Sequence, residues 1–133
     1  MSDLLFVEDD EKIREIFTRF LTSKGYEVHT AKDGQEAVDL AATGEFALII
    51  MDVKMPKLDG LSAFQAIHRE RPKTPVILMT GYRATPELEA LSQQGVLAYL
   101  HKPVLMKDLE LLIQRLLNGD PAPSPVNTGD HQP

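Results

Sequence analysis

A chain of 133 residues with 43% apolar side chains holds one domain with a real core and is too short for two ordinary ones. Its 20 acidic residues outnumber the 14 basic ones, giving a formal charge of −6; no Lys/Arg cluster stands out, so nucleic acid is not an expected direct partner. No apolar stretch approaches the roughly 18 residues of a membrane span, no signal-peptide pattern opens the chain, and the lack of cysteine excludes disulfides and thiolate metal sites, so a cytoplasmic location is expected.

The first predicted strand is the apolar run Leu4-Leu5-Phe6-Val7, which ends in Glu8-Asp9-Asp10-Glu11. Ile13, Ile16, Phe17, Phe20 and Leu21 then recur at the spacing of one helix face, with Asp10 as N-cap and Gly25 as the residue after the C-cap. Tyr26 to Ala31 alternates weakly and suits an edge strand. Asp33-Gly34-Gln35-Glu36 has the spacing of a capping box and opens a second helix, which Gly44 closes. Phe46 to Met51 is apolar without interruption, as in a strand buried on both faces, and stops at Asp52; Pro56 and Gly60 then make a loop. Leu61, Phe64 and Ile67 mark a third helix, ended by Pro72.

Val76 to Thr80 is another strand of the buried type. Thr85-Pro86-Glu87 reads as the start of a further helix with few large apolar residues. Ala98 to His101 is a short last strand, followed by Lys102-Pro103, and Leu109, Leu112, Ile113, Leu116 and Leu117 give the last helix its face. Five alternations of strand and helix predict an α/β fold, a five-stranded parallel sheet between two layers of helices. Past Asn118 the composition shifts to Pro121, Pro123, Pro125 and Pro133 with few apolar side chains, so residues 1–118 read as one domain and 119–133 as a flexible tail or linker stub.

In a parallel sheet the strand ends share one edge, which would gather Glu8, Asp9, Asp10, Asp52, Thr80 and Lys102. Carboxylates brought that close repel unless a cation joins them. A hard, oxygen-rich site suits Mg²⁺, which keeps waters and leaves room for a phosphate. A nucleophilic Asp, a divalent ion, a Lys and a Thr hydroxyl are the parts needed to capture a phosphoryl group on a carboxylate.

These segments, from residue 3 to 118, resemble the receiver domain of two-component response regulators. The resemblance is carried by Val7-Glu8-Asp9-Asp10 with Ile13-Arg14, by Asp52-Val53-Lys54-Met55-Pro56 with Asp59-Gly60, by Met79-Thr80-Gly81, and by Tyr99-Leu100-His101-Lys102-Pro103. It implies a flavodoxin-like fold with strand order 2-1-3-4-5 and a cis Lys102–Pro103 peptide. It makes Asp52 the phosphoacceptor and Asp9 a direct Mg²⁺ ligand. Glu8 acts mainly through a metal-bound water, and the Lys54 backbone carbonyl completes the protein ligands. Thr80 and Lys102 bind phosphoryl oxygens, and Tyr99 follows Thr80. Val104 stands where the family usually has Phe, Leu105 where a capping residue often sits, and Glu8 where Asp is more usual.

The expected function is a switch, not an enzyme with a separate substrate. A sensor histidine kinase or histidine phosphotransfer protein donates to Asp52, and the added charge draws Thr80 inward. The face made by the helix after Thr85, the last strand and the last helix then changes toward an output domain, a target protein or a weak homodimer. Lys54 and Tyr82 stand beside the path of a hydrolytic water and lengthen the life of the phosphate. The kinase and pathway are left open. Two other classes fit less well. A phosphatase with a nucleophilic Asp carries a second Asp two residues on, where this chain has Lys54. A flavodoxin-type flavin carrier needs a Ser/Thr-rich phosphate loop after the first strand, where this chain has four acids.

Overall fold

The computed structural model describes residues 3–53, 60–80 and 96–118. The helix expected after Thr85 and the tail from 119 lie outside them. Along the chain run β1 (Asp3–Val7), α1 (Glu11–Ser23), β2 (Glu27–Ala31), α2 (Gly34–Thr43), β3 (Leu48–Asp52), α3 (Gly60–Glu70), β4 (Val76–Thr80), β5 (Val96–His101) and α4 (Met106–Leu117). Among the described residues no helix is long and apolar enough to cross a membrane.

The five strands pair in parallel in the order β2-β1-β3-β4-β5, the expected architecture. Alternate residues of each central strand feed opposite layers, as the period of two requires. Leu5, Val7, Ile49, Met51, Val76 and Leu78 pack with Ala37, Ala41, Phe64 and Ile67 of α2 and α3. Leu4, Phe6, Leu48, Ile50, Ile77 and Met79 pack with Phe17 and Leu21 of α1 and Leu109, Leu112 and Ile113 of α4. This two-sided burial explains why β1, β3 and β4 read as unbroken apolar runs, whereas the edge strand β2 alternates.

Local chemistry sets the helix ends. The Ile13 amide donates to Asp10 Oδ1 at 3.0 Å, and the Glu36 amide to Asp33 Oδ1 at 2.8 Å. Glu36 reaches back to the Lys32 amide (2.9 Å), closing the box one residue earlier than the simplest form. Gly25 follows α1 at φ 98°, a left-handed conformation that glycine adopts without strain. Expectations shift at several places: β3 starts at Leu48 rather than Phe46, and β2 at Glu27 rather than Tyr26. Ile16 is 51% exposed, because it lies about 100° round the helix from Phe17 and beyond the arc the sheet covers. β5 starts two residues before Ala98, because an irregularity pairs Val76 with Val96 but Ile77 with Ala98.

Candidate functional site

The chain changes direction across the sheet at β1, which lies between β2 and β3, and the carboxyl ends of β1 and β3 adjoin there. In open α/β sheets such a switch point is where ligands bind. Val7 is in register with Met51, so Glu8 comes level with Asp52, the last residue of β3. Asp52 pairs with Met79 and Thr80 with His101, which puts Thr80 and Lys102 at the same edge. Backbone pairing continues past the strands and holds these positions: the Glu8 amide donates to Ala31 O (3.1 Å), Val53 to Met79 O (2.9 Å) and Lys102 to Thr80 O (2.7 Å).

The side chains meet as this register dictates. Lys102 Nζ donates to Asp52 Oδ2 at 2.5 Å and to Glu8 Oε1 at 3.2 Å. Glu8 Oε2 accepts from the Asp10 amide at 3.1 Å. Glu8 is 1% and Asp52 3% exposed, so the ammonium neutralises charges that water barely reaches. Asp9 is exposed at the rim, and Thr80 is buried. Burial pushes the Glu8 carboxyl up to about 7; the Asp9 and Asp52 carboxyls add to this, while the Asp10 amide and Lys102 oppose it. Burial works against the Lys102 ammonium too, but the hydrogen bond and charge of Asp52, with those of Glu8, outweigh it and raise its pKa.

Glu8, Asp9 and Asp52 each bring an oxygen within 4.8 Å of the others. Three carboxylates against one ammonium leave negative charge that a divalent cation neutralises, and an all-oxygen donor set suits Mg²⁺ rather than a softer metal. Beside them a largely apolar cavity of about 450 Å³ opens between Ile13, Phe17, Met79, Pro103 and Val104, with Glu8 and Lys102 on its wall. The Lys102–Pro103 peptide is cis.

Of the sequence-predicted site residues, Glu8, Asp9, Asp52, Thr80 and Lys102 come to one edge. Lys54 and Tyr82 lie outside the described residues. The Tyr99 backbone is in register with Leu78, and its side chain lies outside the description. Sequence reasoning missed two partners. One is the direct Glu8–Lys102 pair, which joins residues 94 positions apart. The other is Arg14, whose Nη1 donates to the Glu8 carbonyl at 2.8 Å and more weakly to that of Asp9 at 3.5 Å. The second signal is invisible in a residue pattern because the acceptors are backbone. Asp3, Glu27 and His29 form another close group toward the opposite edge of the sheet, where the His29 and Phe46 rings meet in a T-shaped pair.

Residues 4–114 match the family described as response regulator receiver domain. The chain is 32% identical over 114 residues to regulatory protein AtoC of Escherichia coli, covering 86% of this chain and 25% of AtoC. It is 34% identical over 114 residues to response regulator MprA of Mycolicibacterium vanbaalenii, covering 86% and 49% respectively. It thus spans between a quarter and a half of the length of these relatives. Among solved structures, a CheY-like response regulator receiver domain protein from Methanospirillum hungatei superposes with a TM-score of 0.84 at 32% identity, over 90% of this chain and 95% of that one. The receiver domain of the sensor histidine kinase PA1611 from Pseudomonas aeruginosa, solved with magnesium coordinated in its active-site cleft, superposes with a TM-score of 0.79 at 31% identity, over 88% and 98%.

Proposed function

Because this chain belongs to the response regulator receiver domain family, we propose that it is a phosphorylation-operated signalling switch in which Asp52 accepts a phosphoryl group from a phosphohistidine. The observation that carries the reading is the ammonium of Lys102 seated on both Asp52 and Glu8 beside Asp9. Glu8, Asp9 and Asp52, with the Lys54 backbone carbonyl, would hold Mg²⁺, which when bound supplies positive charge to the phosphoryl oxygens.

The Asp52 carboxylate attacks phosphorus, and the P–N bond of the phosphohistidine breaks. Its electron pair returns to the ring nitrogen, the other ring nitrogen being protonated, so the imidazole leaves neutral. Lys102 moves from Asp52 to a phosphoryl oxygen, and the Thr80 hydroxyl donates to another. The shift of Thr80 lets Tyr99 follow, which alters the face expected from the helix after Thr85, β5 and α4, the face that meets an output domain, a target protein or a second copy. The donor is a sensor histidine kinase or a histidine phosphotransfer protein, and the exchange takes place in the cytoplasm. Residues 1–118 are the switch, and 119–133 are a tail or linker stub beyond it.

Incubation with acetyl phosphate and Mg²⁺, followed by intact-mass measurement, tests this. Wild type gains one phosphoryl group and Asp52→Asn gains none; equal gain by both, or none by wild type, refutes it. Lys54 and Tyr82 shield the phosphate from water, so Lys54→Ala/Tyr82→Ala dephosphorylates faster than wild type. Equal decay rates would remove both residues from that role.

A further inference from the structure

We infer that Arg14 is a positioning residue of this site: its guanidinium ties down the backbone that carries Glu8 and Asp9 and so sets how tightly those acids hold a divalent cation. The inference rests on the proposed reading of the carboxylate group as a Mg²⁺ site.

The segment from Glu8 to Asp10 joins β1 to α1 and carries three acids in a row, two of them exposed. Sheet pairing reaches only its first residue, through the Glu8 amide. The Glu8 carbonyl accepts instead from Arg14 Nη1 at 2.8 Å, and the Asp9 carbonyl lies 3.5 Å from the same nitrogen. With Lys102 on Oε1 and the Asp10 amide on Oε2, Glu8 is held at its amide, its carbonyl and both carboxylate oxygens. Such fixing keeps mutually repelling acids in place before a cation arrives, and it removes ordering entropy from the binding step.

Helix stability does not explain a cation here. Arg14 is the fourth residue of α1, in its first turn, where positive charge opposes the helix dipole. Its reach back across six residues serves the loop instead.

Charge and positioning predict opposite signs, which makes the inference testable. Removing a positive charge beside a cation site by itself strengthens cation binding. Loss of the clamp weakens it. Mg²⁺ is titrated calorimetrically into wild type, Arg14→Met and Arg14→Lys, and amide exchange at Asp10 is followed in the metal-free proteins. Arg14→Met is expected to bind Mg²⁺ about tenfold more weakly, the low end of the effect of removing a supporting partner, and to exchange the Asp10 amide faster. Arg14→Lys keeps the charge, reaches one carbonyl and falls between the two. Arg14→Met affinity equal to or tighter than that of wild type overturns the inference. So does Arg14→Lys indistinguishable from wild type, which keeps the test open should Arg14→Met fail to fold. Wild type that binds no Mg²⁺ overturns the metal-site reading as well.

Discussion

Lys102 spans two buried acids, so the loss of one side chain takes the cationic partner from both. Removing one partner of such a group costs more than the pair is worth, because the desolvated charge remains. Lys102→Met at pH 8 without metal should lose about 1–3 kcal/mol in urea unfolding, and less at pH 5, where Glu8 is protonated. Glu8 sets a pH dependence of its own. Its carboxyl rises from 4.5 to about 7 on folding, chiefly through burial, so between those values the folded protein holds a proton that the unfolded chain has released. Stability of the metal-free protein therefore falls as pH climbs from about 4.5 to about 7. Lys102, raised from an already high value, stays charged throughout and adds no slope there. Thermal melts in EDTA between pH 5 and 8 should decline in wild type and flatten in Glu8→Gln; parallel declines in both proteins would move the effect elsewhere.

At the scale of elements, the helix starts differ in quality. Asp10 and Asp33 cap α1 and α2, whereas α4 opens at Leu105 with no side-chain cap, and that leucine is 58% exposed. Its backbone is already extended, as a capping residue requires. Leu105→Asp should therefore stabilise the protein by about 0.5–1 kcal/mol by capping α4 and complementing its dipole. A fall in the urea midpoint would mean that the leucine's packing outweighs the missing cap.

At the scale of the molecule, the sheet separates strength from chemistry. Its interior residues are fully buried in two apolar layers, and the reactive groups crowd one edge. Ile50 belongs to the layer under α1 and α4, two residues before Asp52. Ile50→Ala should cost about 2–5 kcal/mol through the cavity it leaves. Below its melting temperature it should still take up a phosphoryl group from acetyl phosphate in the intact-mass assay. Loss of uptake in the folded variant would show that the edge depends on core packing.

The order of the described elements, the buried character of β1, β3 and β4, two helix caps and the residue that closes each strand were legible in the sequence, because apolar period and capping chemistry are local. Asp52 stood out for the same reason, as a charge that ends an apolar run. Contacts between distant segments were not local: the Glu8–Lys102 pair spans 94 positions, and the irregularity between β4 and β5 sets the register that brings Lys102 beyond Thr80. Arg14 stood in the first motif, but its contacts were hidden for another reason. A guanidinium bound to carbonyls leaves no trace in residue types, since every residue has a carbonyl, and only the folded backbone decides which one it meets.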